Sequence, residues 1–345
     1  MQTLAAILVA LQQPLELVSL ELPALKAGQV LVELAFSGVC HTQVLESRGY
    51  RGEDKFLPHC LGHEGSGTVS AVGPGVTKVK PGDQVILSWI KGSGADVAGT
   101  VYRWGERTVN AGAITTFGQQ MVISENRLTR LPAGVSLRDA ALLGCAVPTG
   151  LGAVFNTARP QPGQSLAVFG TGGIGICAIA GAAIAGCAPV IAVDINQAKL
   201  ALARQMGATH TLLATEEPLA AIQQLCPGGV DFAIEATGRP AVMLQALAAV
   251  RQQGGTAVIV GNARFGEMLT LDPRQLNQGK RLLGTWGGDN WPDRDYLRYG
   301  MLLQHGRLNL QPLLDKTYSL AAINEALDDL EAGRTARPLI DLQRA

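Results

Sequence analysis

The chain has no excess of either charge: 28 Lys and Arg balance 28 Asp and Glu across 345 residues. A neutral chain exerts no general electrostatic pull on nucleic acid or on an anionic membrane surface. Aromatic residues make up only 5%, which argues against a platform for stacking bases. Long apolar runs are missing too. The run near the start, Leu4 to Leu11, has no basic residue ahead of it and is followed by Glu16 and Glu21. It falls far short of the ~20 residues that cross a bilayer, and it lacks the flanks of a secretory signal. Nor is there a disulfide framework. Cys40, Cys60, Cys145, Cys177, Cys187 and Cys226 are widely scattered, which reads as reduced thiols or metal ligands in a cytoplasmic protein.

What the chain does have is core-forming material. Hydrophobic residues account for 47%, charged residues for 16%, and the mean hydropathy is +0.18, outside the range of disordered sequences. At roughly 150 residues per domain the length suggests about two domains. The 42 glycines exceed the usual ~7% and belong in tight turns and where backbone approaches a ligand.

Residues 1–145 read as short β-branched strands broken by glycine turns, among them Val30–Ala35, Gly67–Val72 and Asp83–Leu87. Residues 88–118, richer in Gly, Thr and charge, read as a long loop or lobe. From about 163 strands alternate with helices. Strands are expected at Ser165–Phe169, Val190–Val193, His210–Leu213, Val230–Glu235 and Thr256–Val260, with helices at 173–186, 199–206 and 241–252 between them. Near-continuous apolar strands alternating with helices mark a doubly wound parallel sheet, so the fold class is α/β. A helix over 320–332 and a strand over 338–341 follow.

The segment Gly170-Thr-Gly172-Gly173-Ile174-Gly175 follows a strand and opens a helix. In such a G-x-G-x-x-G turn the first glycine bends tightly, the second admits a pyrophosphate, and the third packs helix on strand. The helix N-terminus then offers free N–H groups to the phosphates. Asp194 lies 19 residues past Gly175 at the end of the next strand, where a carboxylate accepts from ribose hydroxyls and repels a 2′-phosphate. This favours NAD over NADP; the competing reading is a cap on the following helix.

Three further segments hold possible metal ligands: Gly38-Val-Cys40-His41-Thr42, Gly62-His63-Glu64-Gly65 and Leu143-Gly-Cys145. Two thiolates and a neutral imidazole would leave Zn²⁺ one open tetrahedral position, the catalytic arrangement. Singly none is decisive, since buried cysteines usually act as small hydrophobes. Cys60 with His59 also has metal-compatible spacing. Its other reading is packing, as for Cys177, Cys187 and Cys226.

Together, in this order, these segments resemble the zinc-dependent alcohol dehydrogenases of the medium-chain dehydrogenase/reductase family, over essentially the whole chain. The resemblance implies a β-rich GroES-like, zinc-binding catalytic domain over 1–147 and 287–345 and a Rossmann NAD-binding domain over 148–286. It implies that Cys40, His63 and Cys145 hold one catalytic zinc. Thr42 would hydrogen-bond the substrate alcohol and pass on its proton, and Glu64 would stand beside the metal. His41 and Arg337 would meet the cofactor pyrophosphate, or else be solvated surface charges. Lys199 would meet the adenosine ribose. Trp89 and Phe117 would line the substrate pocket, or else anchor a loop and fill the core.

The implied activity is reversible, NAD-linked interconversion of a small alcohol and its aldehyde or ketone. The implied assembly is a homodimer or homotetramer joined through edge strands around Thr256–Arg264 and Lys280–Gly284. A zinc-independent NAD(P)H reductase and a non-catalytic dinucleotide-binding protein are the alternatives. The chain departs from the family where Ser93, Asp96, Gly99 and Arg107 replace the cysteines of a second, structural zinc, so that zinc is expected to be absent. It departs again where Gln43 stands for an Asp that orients the ligand histidine, and where Leu45 stands for a relay histidine.

Overall fold

The computed structural model describes residues 1–344, which divide into two compact units. The first contains Met1–Cys145, Trp291–Gly306 and the residues from Leu313 onward; the second contains Ala146–Asn290 and Arg307–Pro312.

The first unit is built from β-structure. Strands Gln2–Leu8, Glu16–Glu21, Val101–Trp104, Arg107–Asn110 and His59–Cys60 close into a barrel. Beside it a second sheet runs in the order Leu128–Arg130, Gln84–Ser88, Glu64–Val72, Gln29–Gly38, Leu339–Asp341, Thr317–Ser319, with Gln120–Ser124 also paired to Gln29–Gly38. Both contribute to one apolar core, including Ile7, Leu20, Val32, Leu34, Leu87 and Met121. The segment 88–118, expected to be a long loop or lobe, supplies a hairpin in which Trp104 pairs with Arg107 across a two-residue turn containing Gly105. Each of its strands is four residues long and turns charged side chains to solvent, which made it look like a loop. Tyr102 and Val109 nonetheless point inward and are fully buried.

The second unit has the doubly wound sheet. Six parallel strands lie in the order His210–Leu213, Val190–Asp194, Leu166–Phe169, Phe232–Glu235, Thr256–Ile259, Arg281–Gly284. The order turns outward from Leu166–Phe169 in both directions, which makes the end of that strand the switch point where such sheets bind ligands. Leu166–Phe169 and its neighbours are apolar because both faces are covered by helices. Thr256–Ile259 is paired on both sides, so it is not an edge; Arg281–Gly284 is. The 320–332 segment begins as a 3₁₀ turn over Leu320–Ala322 and continues as the helix Ile323–Glu331. Among the described residues no helix is long and apolar enough to cross a membrane.

Candidate functional site

In the first unit, pairing brings distant residues together. Strands Gln29–Gly38 and Glu64–Val72 are antiparallel, with Ser37 opposite Gly65. Cys40, just past the end of one, therefore meets His63, just before the start of the other. Cys40 is the N-cap of the helix His41–Ser47. Cys145 arrives from beyond the helix Leu137–Leu142 through Gly144, where a side chain would press within 2.2 Å of the Leu87 carbonyl oxygen. Ser88 Oγ fixes that segment by donating to the Gly144 carbonyl at 2.7 Å. The buried Tyr296 hydroxyl lies 2.6 Å from the same Ser88 Oγ.

The ligand atoms of Cys40, His63 and Cys145 all lie within 4.8 Å of one another, the only such group of three or more among the described residues. His63 Nε2 is 3.3 Å from Cys145 Sγ. Gln43 Nε2 lies 2.7 Å from His63 Nδ1, and Gln43 Oε1 accepts from the Cys40 N–H at 2.9 Å. Cys60 stands apart from this group. It is buried in the barrel with its thiol pushed up to about 12 by burial, and its neighbour His59 binds Asp54 at 2.8 Å, so the rival-ligand reading falls.

The electrostatics suit a cation. The Cys145 thiol, Arg337 and His63 together hold the Cys40 thiol well below its ordinary range despite burial. Cys145 is pushed up by its hydrogen bond to Cys40 and by burial. The two thiols are thus driven apart in acidity, Cys40 toward the thiolate that a divalent ion prefers and Cys145 away from it. Two sulfurs and one imidazole are a zinc-type donor set and leave the fourth tetrahedral position open.

Around these three, Thr42 Oγ1 sits 3.7 Å from Cys40 Sγ. Glu64 is fully buried and ion-paired with Arg337, itself only 3% exposed. Arg337 comes from far along the chain because Leu339 pairs with Gly38 and the Val39 N–H donates to the Pro338 carbonyl at 3.0 Å. Gly38 has to lack a side chain, since a Cβ there would stand 2.4 Å from Glu64 Oε1. The solvated-charge alternative therefore fails for Arg337, while His41 is exposed. Trp89 is half-buried with its ring edge-on to His63, centroids 6.5 Å apart. Phe117 is fully buried in the apolar core, so core packing is the reading it satisfies. Leu45 is buried and carries no proton.

Ser93, Asp96, Gly99 and Arg107 have other engagements. The Ser93 N–H donates to Asp293, Asp96 pairs with Lys91, a Cβ on Gly99 would meet the Ala111 carbonyl, and Arg107 lies over the Trp104 ring.

In the second unit the glycine turn divides its labour by position. Gly170 adopts φ +89°, open to glycine at no steric cost. A Cβ on Gly175 would lie 1.8 Å from the Gly170 carbonyl oxygen, so this glycine lets the helix Gly173–Ile184 seat on its strand. A Cβ on Gly172 would meet nothing within 4 Å, and no side chain caps the helix there. An open cradle at an uncapped helix N-terminus fits a pyrophosphate. Asp194 Oδ2 accepts from the Thr171 N–H at 2.7 Å and from Thr171 Oγ1 at 2.9 Å, tying the strand end to the turn. The cap of the next helix is Asn196, not Asp194. Lys199 lies in the first turn of that helix.

Comparisons with known proteins find relatives over nearly the whole chain. The alcohol dehydrogenase GroES-like domain family matches residues 26–133, and the zinc-binding dehydrogenase family matches residues 173–299. An S-(hydroxymethyl)glutathione dehydrogenase of Synechocystis sp. is 35% identical over 372 residues, covering 99% of this chain and 100% of that protein. Benzyl alcohol dehydrogenase from Acinetobacter calcoaceticus superposes with a TM-score of 0.90 at 30% identity, over 99% of each chain. An alcohol dehydrogenase zinc-binding domain protein from Burkholderia ambifaria does so at 0.92 and 32%, over 100% of each.

The chain belongs to the zinc-dependent alcohol dehydrogenases of the medium-chain dehydrogenase/reductase family. It is an oxidoreductase acting on CH–OH donors, with small-molecule alcohols and carbonyls as substrates.

Proposed function

We propose that this chain oxidises a small alcohol to its aldehyde or ketone, reversibly and with NAD, at a zinc held by Cys40, His63 and Cys145. The convergence of those three side chains within 4.8 Å carries the reading. Zinc, when bound, supplies a Lewis acid that lowers the pKa of an alcohol toward neutrality, and NAD supplies the hydride acceptor. The rest falls to the chain's own groups. The Thr42 hydroxyl, able to donate and accept at once, takes the alcohol proton, and exposed His41 beside it passes the proton to solvent in place of Leu45. Glu64 keeps a negative charge beside the ligands and is held there by Arg337. Trp89 forms an apolar wall next to His63.

Gly170, Gly172, Gly173, Ile174 and Gly175 receive the dinucleotide phosphates, Asp194 selects the unphosphorylated ribose, and Lys199 stands near it. Two finer points belong to the same proposal. The edge strand Arg281–Gly284, with Leu283 exposed, pairs with a second copy of the chain to make a dimer or tetramer. The six free thiols fit a reducing cytoplasm.

The test is zinc content of the purified protein read beside NADH fluorescence. One zinc per chain with NADH bound is the expected result. No zinc, with activity that survives chelators, overturns the reading in favour of the zinc-independent reductase.

A further inference from the structure

One amide serves two masters at the metal centre. The backbone N–H of Cys40 is a fixed donor, and it points at Gln43 Oε1 at 2.9 Å. That contact settles which end of the Gln43 amide is which, so the NH₂ end faces His63 Nδ1 at 2.7 Å. An NH₂ group only donates, and Nδ1 must therefore present its lone pair. A neutral imidazole with a lone pair on Nδ1 carries its proton on Nε2, which here lies 3.3 Å from Cys145 Sγ.

Nε2 is also the nitrogen turned toward the two thiols, and a metal bound there needs its lone pair. The ring proton must then sit on Nδ1, which would set an N–H against an NH₂ at hydrogen-bond distance. A half-turn of the amide removes the clash by bringing Oε1 to His63. It does so at the expense of the Cys40 N–H, whose bond to Gln43 is the cap at the start of the helix His41–Ser47.

We propose that Gln43 is the positioning residue of the metal centre and uses opposite ends of its amide for His63 in the metal-free and metal-loaded protein. Loading the centre thereby loosens the first turn of the helix that carries His41 and Thr42. This rests on the reading that Cys40, His63 and Cys145 hold zinc. A carboxylate at this position accepts from the Cys40 N–H and from the His63 Nδ1–H together and is spared the choice. Gln43→Glu should therefore bind zinc more tightly, by about 10-fold, the lower end of the effect of partners to metal-bound histidine.

The experiment uses the full chain labelled with ¹⁵N in the histidine rings, stripped of metal and then titrated with zinc. Long-range proton–nitrogen spectra are expected to place the His63 proton on Nε2 before zinc and on Nδ1 after it. Exchange of the Cys40 amide should quicken on loading in the wild type and stay constant in Gln43→Glu. Chelator competition should show the tighter binding of the variant. An Nδ1–H ring in the metal-free protein, or equal zinc affinity in the two proteins, overturns the proposal while leaving the zinc site standing. Failure of the wild type to take up zinc overturns the zinc reading and the proposal with it.

Discussion

Glu64 and Arg337 form an ion pair sealed from solvent, with Glu64 fully buried and Arg337 exposed by only 3%. Removing one member leaves a buried charge with no counter-ion, which typically costs about 3–5 kcal/mol. Glu64→Gln should lower the melting temperature and loosen zinc. The double substitution Glu64→Gln with Arg337→Met removes the uncompensated charge and should recover most of the melting temperature. Calorimetry on the three proteins checks this, and a double variant no more stable than Glu64→Gln would mean that the pair does not act as a unit.

Cys145→Ser replaces a thiol with a hydroxyl of similar size, so the fold should survive while the zinc is lost. Turnover should fall by at least ~10³-fold, since metal activation is worth several kcal/mol and each 1.36 kcal/mol is tenfold. NADH fluorescence titration should give an unchanged Kd, because the glycine turn belongs to the other unit. A large loss of NADH affinity would contradict the separation of the two sites.

Gly172 and Gly175 should respond to alanine in opposite ways. Gly175→Ala drives a methyl group to 1.8 Å from the Gly170 carbonyl, so the second unit should lose stability outright. Gly172→Ala puts the same group into open space, so the melting temperature should hold while NADH affinity falls. Thermal denaturation with and without NADH distinguishes the two.

Asp194→Ala removes the carboxylate that binds the Thr171 N–H and hydroxyl. Hydrogen bonds to a charged group are worth about 1.5–3 kcal/mol, so NADH affinity should drop about 10-fold or more, with a smaller loss for NADPH. An unchanged ratio of the two affinities would remove Asp194 from cofactor selection.

Asp329 is held far below its usual range by Lys316, Tyr318 and Arg334. A carboxyl depressed in the folded state stabilises the fold above the unfolded value near ~3.9, and that stability is lost as pH falls toward the folded value. Asp329→Asn should therefore be less stable than wild type at pH 7, and the gap should close progressively on acidification below pH ~4. Urea unfolding at several pH values measures it.

Much of this was legible beforehand, for physical reasons. Leu166–Phe169 and Val190–Asp194 are buried on both faces, so their apolar runs stand out, and the glycine turn between strand and helix announces itself. The hairpin Val101–Asn110 did not, because each strand offers only one fully inward side chain, Tyr102 or Val109, and turns an arginine, Arg103 or Arg107, to solvent. The interior placement of Thr256–Ile259 depended on where Arg281–Gly284 would dock, which no local pattern shows. Arg337 reads as a phosphate ligand or a surface charge until Leu339 pairs with Gly38 and brings it to Glu64. The Tyr296–Ser88–Gly144 chain of hydrogen bonds left no trace at all beyond a serine next to Trp89. Gln43 was visible as a departure from the family, but its bond to the Cys40 N–H needed coordinates.

The strand Leu339–Asp341 lies alongside Gln29–Gly38, and this sets an order of assembly on the ribosome. The parallel sheet is contiguous and has all its strands once Gly284 has emerged. The sheet that frames the thiols waits for the further residues up to Asp341, about 57 of them, a delay on the order of 3–11 s at ordinary synthesis speeds. Throughout that interval the Glu64 carboxylate has no Arg337 to meet it. A nascent chain therefore has its glycine turn in place before the residues around the two thiols are all assembled.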